Sequence, residues 1–336
     1  MGSVPIYRFP LLVLGFVSLA LGIAGGLVRL GAEIAAPMGA IALHGPLMVS
    51  GFLGTVIALE RAVALGRAWA YGAPLASGLG GLCLVLGYTS AGFALLALAA
   101  VVLVAASLAV LARQVSLEMA TLAAGAVAWL AGNLSLYAGA PAVPWWIAFF
   151  ALTIGGERLE LSRYLKRGPF ARNAFIVLAA ALLVAPLQPR ALGAVLVLLA
   201  AWLLVYDLAR VTVRQKALPR YVAWCLLAGY AWLALGGALL ALETAYDAAL
   251  HAIFVGFVFS MVFGHAPVIL PAVLRVKLPY HPALYAPLVL LHLSLAVRIF
   301  VSIPIGAWGN AAAIALFIAT AAMLALSRAS SARPRR

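Results

Sequence analysis

Apolar residues run along this chain in stretches of about twenty, the length an α-helix needs to cross a bilayer, broken by short punctuations of Pro, Gly and charge. The pattern predicts twelve helices, roughly 9–29, 40–60, 73–90, 92–112, 117–138, 144–164, 172–187, 191–210, 220–242, 245–268, 282–304 and 308–327. The third and fourth share one run, Leu75 to Leu111, which is too long for a single span and is interrupted only at Gly87-Tyr88-Thr89-Ser90-Ala91-Gly92, so it reads as a hairpin. Pro267 and Pro271 are expected to end the tenth helix early, and Pro304 the eleventh. Phe9 to Leu30 is a full span and not the short core of a cleaved signal peptide, so it reads as an anchor. The expected fold class is an all-α integral membrane protein, a bundle of about 12 transmembrane helices. One polytopic domain is expected over 1–327, with a disordered basic cytoplasmic tail over 328–336.

Composition agrees. The chain has 336 residues, 67% hydrophobic and 9% charged, with a mean hydropathy of +1.16, which excludes a water-soluble enzyme and leaves no room for an extramembrane domain. The net charge of +14 does not indicate nucleic acid, because the basic residues lie thinly between apolar runs. Nineteen of the 22 fall on one side of the predicted bundle, Arg29 and Arg190 on the other, and Arg298 inside a span. The positive-inside rule then puts both termini in the cytoplasm and the chain in the inner membrane of a bacterium or archaeon. Trp69, Trp145, Trp146 and Trp308 fit an aromatic belt. Gly22 with Gly26, and Gly51 with Thr55, fit close helix packing. Cys83 and Cys225 lie in separate runs and suggest neither a metal site nor a disulfide framework.

Polar side chains inside a bilayer are costly and tend to mark a site or a helix contact. His44 lies in the second predicted helix, His251 and His265 in the tenth, His281 in the loop after it and His292 in the eleventh. With helices entering alternately, His44 and His251 share an outer level and Arg298 lies in the outer half, while His292 lies near mid-depth and is a further candidate for that outer group. His265 lies fourteen residues beyond His251 on nearly the same face, about 21 Å deeper at 1.5 Å per residue, and pairs in level with His281. Neutral imidazoles are strong ligands for haem iron or copper, and two from facing helices can hold a porphyrin in a bundle core. Arg298 would then meet the haem propionates. Met48, one turn below His44, could add a thioether to copper or simply pack. The structural alternative is that each histidine hydrogen-bonds across helices and Arg298 reaches for the interface. Elsewhere, Glu157, Glu160 and Arg163 read as interfacial pairing, as does Glu60-Arg61, and Asn133 reads as an interhelical hydrogen bonder. Glu243 and Asp247 mark an outer connection, either a proton entry point or an exposed loop.

The run Leu43-His44-Gly45-Pro46-Leu47-Met48-Val49-Ser50-Gly51-Phe52-Leu53-Gly54-Thr55 resembles the second-helix haem-ligand segment of haem-copper oxidase catalytic subunits, also a twelve-helix fold. His251-Ala252 through Gly256, with Met261 to Gly264-His265, is similar to the late histidine helix of the NnrS family, multi-span haem and copper proteins linked to denitrification and nitric oxide stress. Two departures stand out. The sixth and seventh helices lack the oxidase histidines, and Ala266-Pro267-Val268 stands where the NnrS family usually reads Thr-Gly-Arg. The resemblance implies a membrane protein binding haem, and copper as a further cofactor, with His44 and His251 as ligands, His265 as a third metal ligand and nitric oxide as a gaseous ligand. It assigns no catalytic residue and no electron-transfer partner. The competing expectation is a proton-coupled transporter or channel using the same histidines, which would show internal repeats and broken helices.

Overall fold

The computed structural model describes residues 6–162, 168–276 and 278–331. Among them the chain is all helical, with no strand. Twelve main helices follow in order: α1 (Phe9–Val28), α2 (His44–Leu65), α3 (Ala68–Val85), α4 (Thr89–Arg113), α5 (Leu117–Tyr137), α6 (Val143–Leu161), α7 (Pro169–Ala181), α8 (Pro189–Tyr206), α9 (Leu218–Ala241), α10 (Tyr246–Leu274), α11 (Pro282–Phe300) and α12 (Ile303–Ser331).

Ten of these are long and apolar enough to cross a membrane, which makes the chain a multi-pass membrane protein. The other two differ for physical reasons. α6 carries Glu157, Arg158 and Glu160 in its last turns, and α7 has 13 residues, about 20 Å at 1.5 Å per residue, against a hydrocarbon core of about 30 Å.

Local chemistry sets the boundaries. Proline opens α7 and α8 and enters the first turn of α1 and α9, where its missing N–H costs no helical bond. Gly66 ends α2 at φ +67°, and Gly87 turns the expected hairpin between α3 and α4 at φ +87°. Pro304 opens α12 instead of closing α11, which already ends at Phe300. α10 does not stop at its prolines. Pro267 and Pro271 lie inside it, and the Phe263 carbonyl that Pro267 deprives of its partner accepts a hydrogen bond from the Tyr221 hydroxyl at 3.3 Å. At the C-terminus, where a disordered tail was expected, α12 runs on to Ser331; residues 332–336 lie outside the described residues.

The chain divides into two compact units, Met1–Glu157 and Arg158–Arg336. In the first, α1 packs on α2 and α3, α3 on α4, and α4 on α5. Small residues allow the approach: Gly22 meets Met48, Gly25 meets the backbone of Ala40, and Gly51 lies between Ser18 and Gly81. In the second, α8 packs on α9, α9 on α10, and α11 on α12. There Gly193 faces Gly237, and Gly229 and Gly236 receive α10. Phe263 of α10 stacks on Phe317 of α12 with centroids 4.0 Å apart.

α2 and α10 share a device that periodicity could not reveal. Each contains eight residues of π-helix, Leu47–Gly54 and Ala252–Phe259, and each π segment begins within three residues of a histidine preceded by Ala-Leu. π segments are rare and concentrate at functional sites. In α2 two of these carbonyls are taken up by hydroxyls: Ser77 donates to the Ser50 carbonyl at 2.6 Å, and Thr55 to that of Gly51 at 2.8 Å.

Candidate functional site

In the first unit the histidine is His44. Its Nδ1 lies 2.6 Å from the Gly22 carbonyl of α1, and a carbonyl can only accept, so the ring proton sits on Nδ1 and Nε2 is the lone-pair nitrogen. Gly26 closes the other side of the ring, because a Cβ there would lie 2.9 Å from His44 Nδ1. Met48, weighed above as a thioether ligand, packs its sulfur over Gly22.

Behind the π segment of α2 lies a buried hydrogen-bond network. Ser50 Oγ donates to Asn133 Oδ1 at 2.8 Å, Trp146 Nε1 donates to the same oxygen at 3.0 Å, Trp129 Nε1 donates to Ser50 Oγ at 3.1 Å, and Asn133 Nδ2 donates to the Leu96 carbonyl at 3.0 Å. Asn133 thus ties α5 to α2, α4 and α6, as an interhelical hydrogen bonder should. Trp146 is not in an interfacial belt: it is 2% exposed, because its indole N–H has a partner inside, whereas Trp69 and Trp308 are exposed. Asn133→Ala would leave the Trp146 N–H and the Ser50 hydroxyl short of an acceptor. The expected loss is about 1–3 kcal/mol, read as a lower melting temperature in detergent.

In the second unit His251 opens the π segment of α10. Its Nδ1 lies 2.8 Å from the Asp247 carbonyl and 3.3 Å from the Asp247 carboxylate, so Nδ1 again carries a proton, and in the neutral ring Nε2 is the lone-pair nitrogen. Asp247 in turn accepts from Arg298 Nη2 at 3.1 Å. Arg298 is 7% exposed, and its Nε has no hydrogen-bond partner among the described residues. Glu243, on the same connection, pairs with Arg190 at 2.7 Å on the surface. Glu243 before α10 and Asp247 in its first turn therefore each hold an arginine.

His292, on α11, meets partners from α9 and α10 that differ from those of His251. Trp232 Nε1 donates to its Nδ1 at 2.9 Å, which leaves the proton on Nε2. Nε2 faces Ser260 Oγ at 3.4 Å, and Ser260 spends its own proton on the Cys225 carbonyl at 2.7 Å. Both ring nitrogens are engaged, in the tautomer opposite to that of His251. Ser260 also lies nine residues beyond His251, about 13 Å along α10. His281 caps a short helical turn, its Nδ1 accepting from the Ala283 N–H at 3.1 Å.

His265, the third metal candidate, is 7% exposed and within electrostatic reach of a pair that the sequence reading did not single out. Arg158 forks onto Asp207, Nε to Oδ2 at 2.8 Å and Nη2 to Oδ1 at 3.2 Å, with the two side chains 6% and 1% exposed. Asp207 also accepts from the Ala209 N–H at 2.6 Å, and Ser162 donates to the Arg158 carbonyl. Tyr230 adjoins the pair, with its buried hydroxyl near both Asp207 and Arg158. The available signal was Asp207 itself, a lone acid at the end of an otherwise apolar stretch. The Glu160–Arg163 pairing expected nearby falls partly on Arg163, outside the described residues. Among the described residues no group of three or more His, Cys, Asp or Glu gathers as a metal ion would require.

These features define a class: an all-helical, multi-pass membrane protein with a histidine and a π-helical segment in each of its two units. The model of a family described as "Domain of unknown function (DUF8744)" matches residues 8–326, so the chain belongs to that family. No curated protein and no solved structure matches it.

Proposed function

We propose that this protein binds haem in the inner membrane of a bacterium or archaeon, with His44 and His251 offering Nε2 as iron ligands, in redox chemistry or sensing linked to nitric oxide and denitrification. The observation that carries the reading is the shared tautomer. Both histidines give the Nδ1 proton to a backbone carbonyl, the outer-sphere contact that typically orients a metal-ligating imidazole and raises its basicity.

Haem fits these residues better than copper held by the protein alone. A porphyrin brings four nitrogens and asks the protein for one or two, whereas a copper site needs several protein ligands gathered together. Bound iron would supply electron transfer or the binding of a diatomic gas. The Asp247 carboxylate, fixed by Arg298, holds the His251 ring in place, and the unsatisfied Arg298 Nε leaves a donor for a propionate. His292, with both nitrogens occupied, takes no part in ligation.

The experiment is an absorption spectrum of protein purified from haem-replete membranes. A Soret band is expected, with most of it lost in His44→Ala and in His251→Ala and retained in His292→Ala. A colourless wild-type protein that moves protons or solutes in proteoliposomes would overturn the haem reading in favour of the transporter.

A further inference from the structure

The connection that leads into His251 runs against the preferences of its own residues. α9 ends at Ala241, and the turn after it closes as many helix ends do, the Thr244 N–H donating to the Leu239 carbonyl at 3.0 Å and the Glu243 N–H to that of Leu240 at 3.1 Å. Such a turn puts its closing residue in the left-handed region and favours glycine there. Here Glu243 occupies it at φ +53°, and Ala245, two residues on, repeats the conformation at φ +45°. Strained residues persist only where the surroundings hold them, and they gather at functional sites. The surface pair of Glu243 with Arg190 adds little hold, because both side chains are exposed. The anchor is Arg298 of α11, whose Nη2 reaches both carboxylate oxygens of Asp247, at 3.1 and 3.4 Å. The first turn of α12 lies directly on the Arg298 main chain, where a Cβ on Gly306 would overlap it, so the guanidinium extends from a fixed point.

The carboxylate held in this way lies 3.3 Å from His251 Nδ1. Its side chain is 54% exposed, but the cation it meets is only 7% exposed, so its position is set from the buried side. A carboxylate against the Nδ1–H of a ligating imidazole raises the basicity of Nε2, and a more strongly donating Nε2 favours ferric over ferrous iron. Resting on the haem reading above, we propose that Asp247 is a positioning residue that acts through the His251 ring to set the reduction potential of the bound iron, with Arg298 fixing the carboxylate and limiting how much of its charge the imidazole feels.

The test is a spectroelectrochemical titration of the Soret band, with the full chain in a mild detergent. Asp247→Asn should raise the midpoint potential by about 59 mV, a tenfold shift from ferric to ferrous iron in a one-electron couple. Arg298→Gln, which keeps the carboxylate and removes its counter-ion, should lower it. A residue that merely braced the ring would shift both variants in the same direction. Glu243→Gln removes the same charge from the same connection without touching His251, and it should keep the wild-type potential. An unchanged potential in Asp247→Asn, an equal shift in Glu243→Gln, or a rise or no change in Arg298→Gln overturns the role of Asp247 and leaves haem binding standing. Where Asp247→Asn fails to fold, the sign of the Arg298→Gln shift decides. A wild-type protein with no Soret band overturns the haem reading, and the role of Asp247 with it.

Discussion

Asp207→Ala is expected to cost this protein about 3–5 kcal/mol of stability, the largest effect of any single polar substitution in the second unit. Arg158 stays charged when its partner is removed, and at 5% exposure it has little water to turn to. The loss of the Ala209 cap adds to it, since Asp207 Oδ1 also accepts that N–H. The same reasoning gives the pair a small net worth when both charges go together, because the desolvation of two ions offsets most of their attraction. Arg158→Met with Asp207→Leu is therefore expected to recover most of the stability that Asp207→Ala loses. Thermal unfolding in detergent, followed by tryptophan fluorescence, checks both. A single mutant that melts with the wild type would show that the pair is not the buried, desolvated contact described here.

Gly193→Val should produce the second large effect, by packing instead of charge. α8 and α9 cross with Gly193 against the backbone of Gly237 and Ala241, so an added side chain would have to occupy space already filled by main-chain atoms. Backbone cannot rotate out of the way as a side-chain tip can. The expected cost is at or above the roughly 1–3 kcal/mol typical of overpacking, and the two helices should separate enough to raise protease sensitivity in the 207–217 connection. Gly66→Ala is the contrasting case: open space surrounds it, and the only cost is its left-handed φ. A Gly193→Val protein with wild-type melting and protease resistance would contradict the close crossing.

Much of the architecture was legible along the chain because the bilayer imposes a length rule that few sequences satisfy by accident. Helix positions, the α3–α4 hairpin and the interhelical role of Asn133 all follow from apolar run length and from the cost of an unpartnered amide in lipid. Proline misled at three places: Pro304 falls in the first turn of α12, where proline breaks no helical bond, and Pro267 and Pro271 lie inside α10. Inside a helix its effect depends on where the freed carbonyl can find a donor, and the Tyr221 hydroxyl that rescues α10 comes from a helix about forty residues earlier in the chain.

The polar residues show the same division. Which side chains would matter was visible from their rarity, but their partners were not, since Arg158 and Asp207 are separated by 49 positions and Trp232 and His292 by 60. Helix order registers a depth, not a contact, so it could make His251 and His292 candidates for one group while their different hydrogen-bond partners put them to different uses. By itself, then, the sequence determined that this is a many-helix membrane protein whose chemistry is confined to a handful of buried polar groups. Only the tertiary structure decided which of those groups are satisfied, where the two π segments lie and which imidazole nitrogen carries the proton, because each depends on a donor or acceptor delivered by a distant part of the fold.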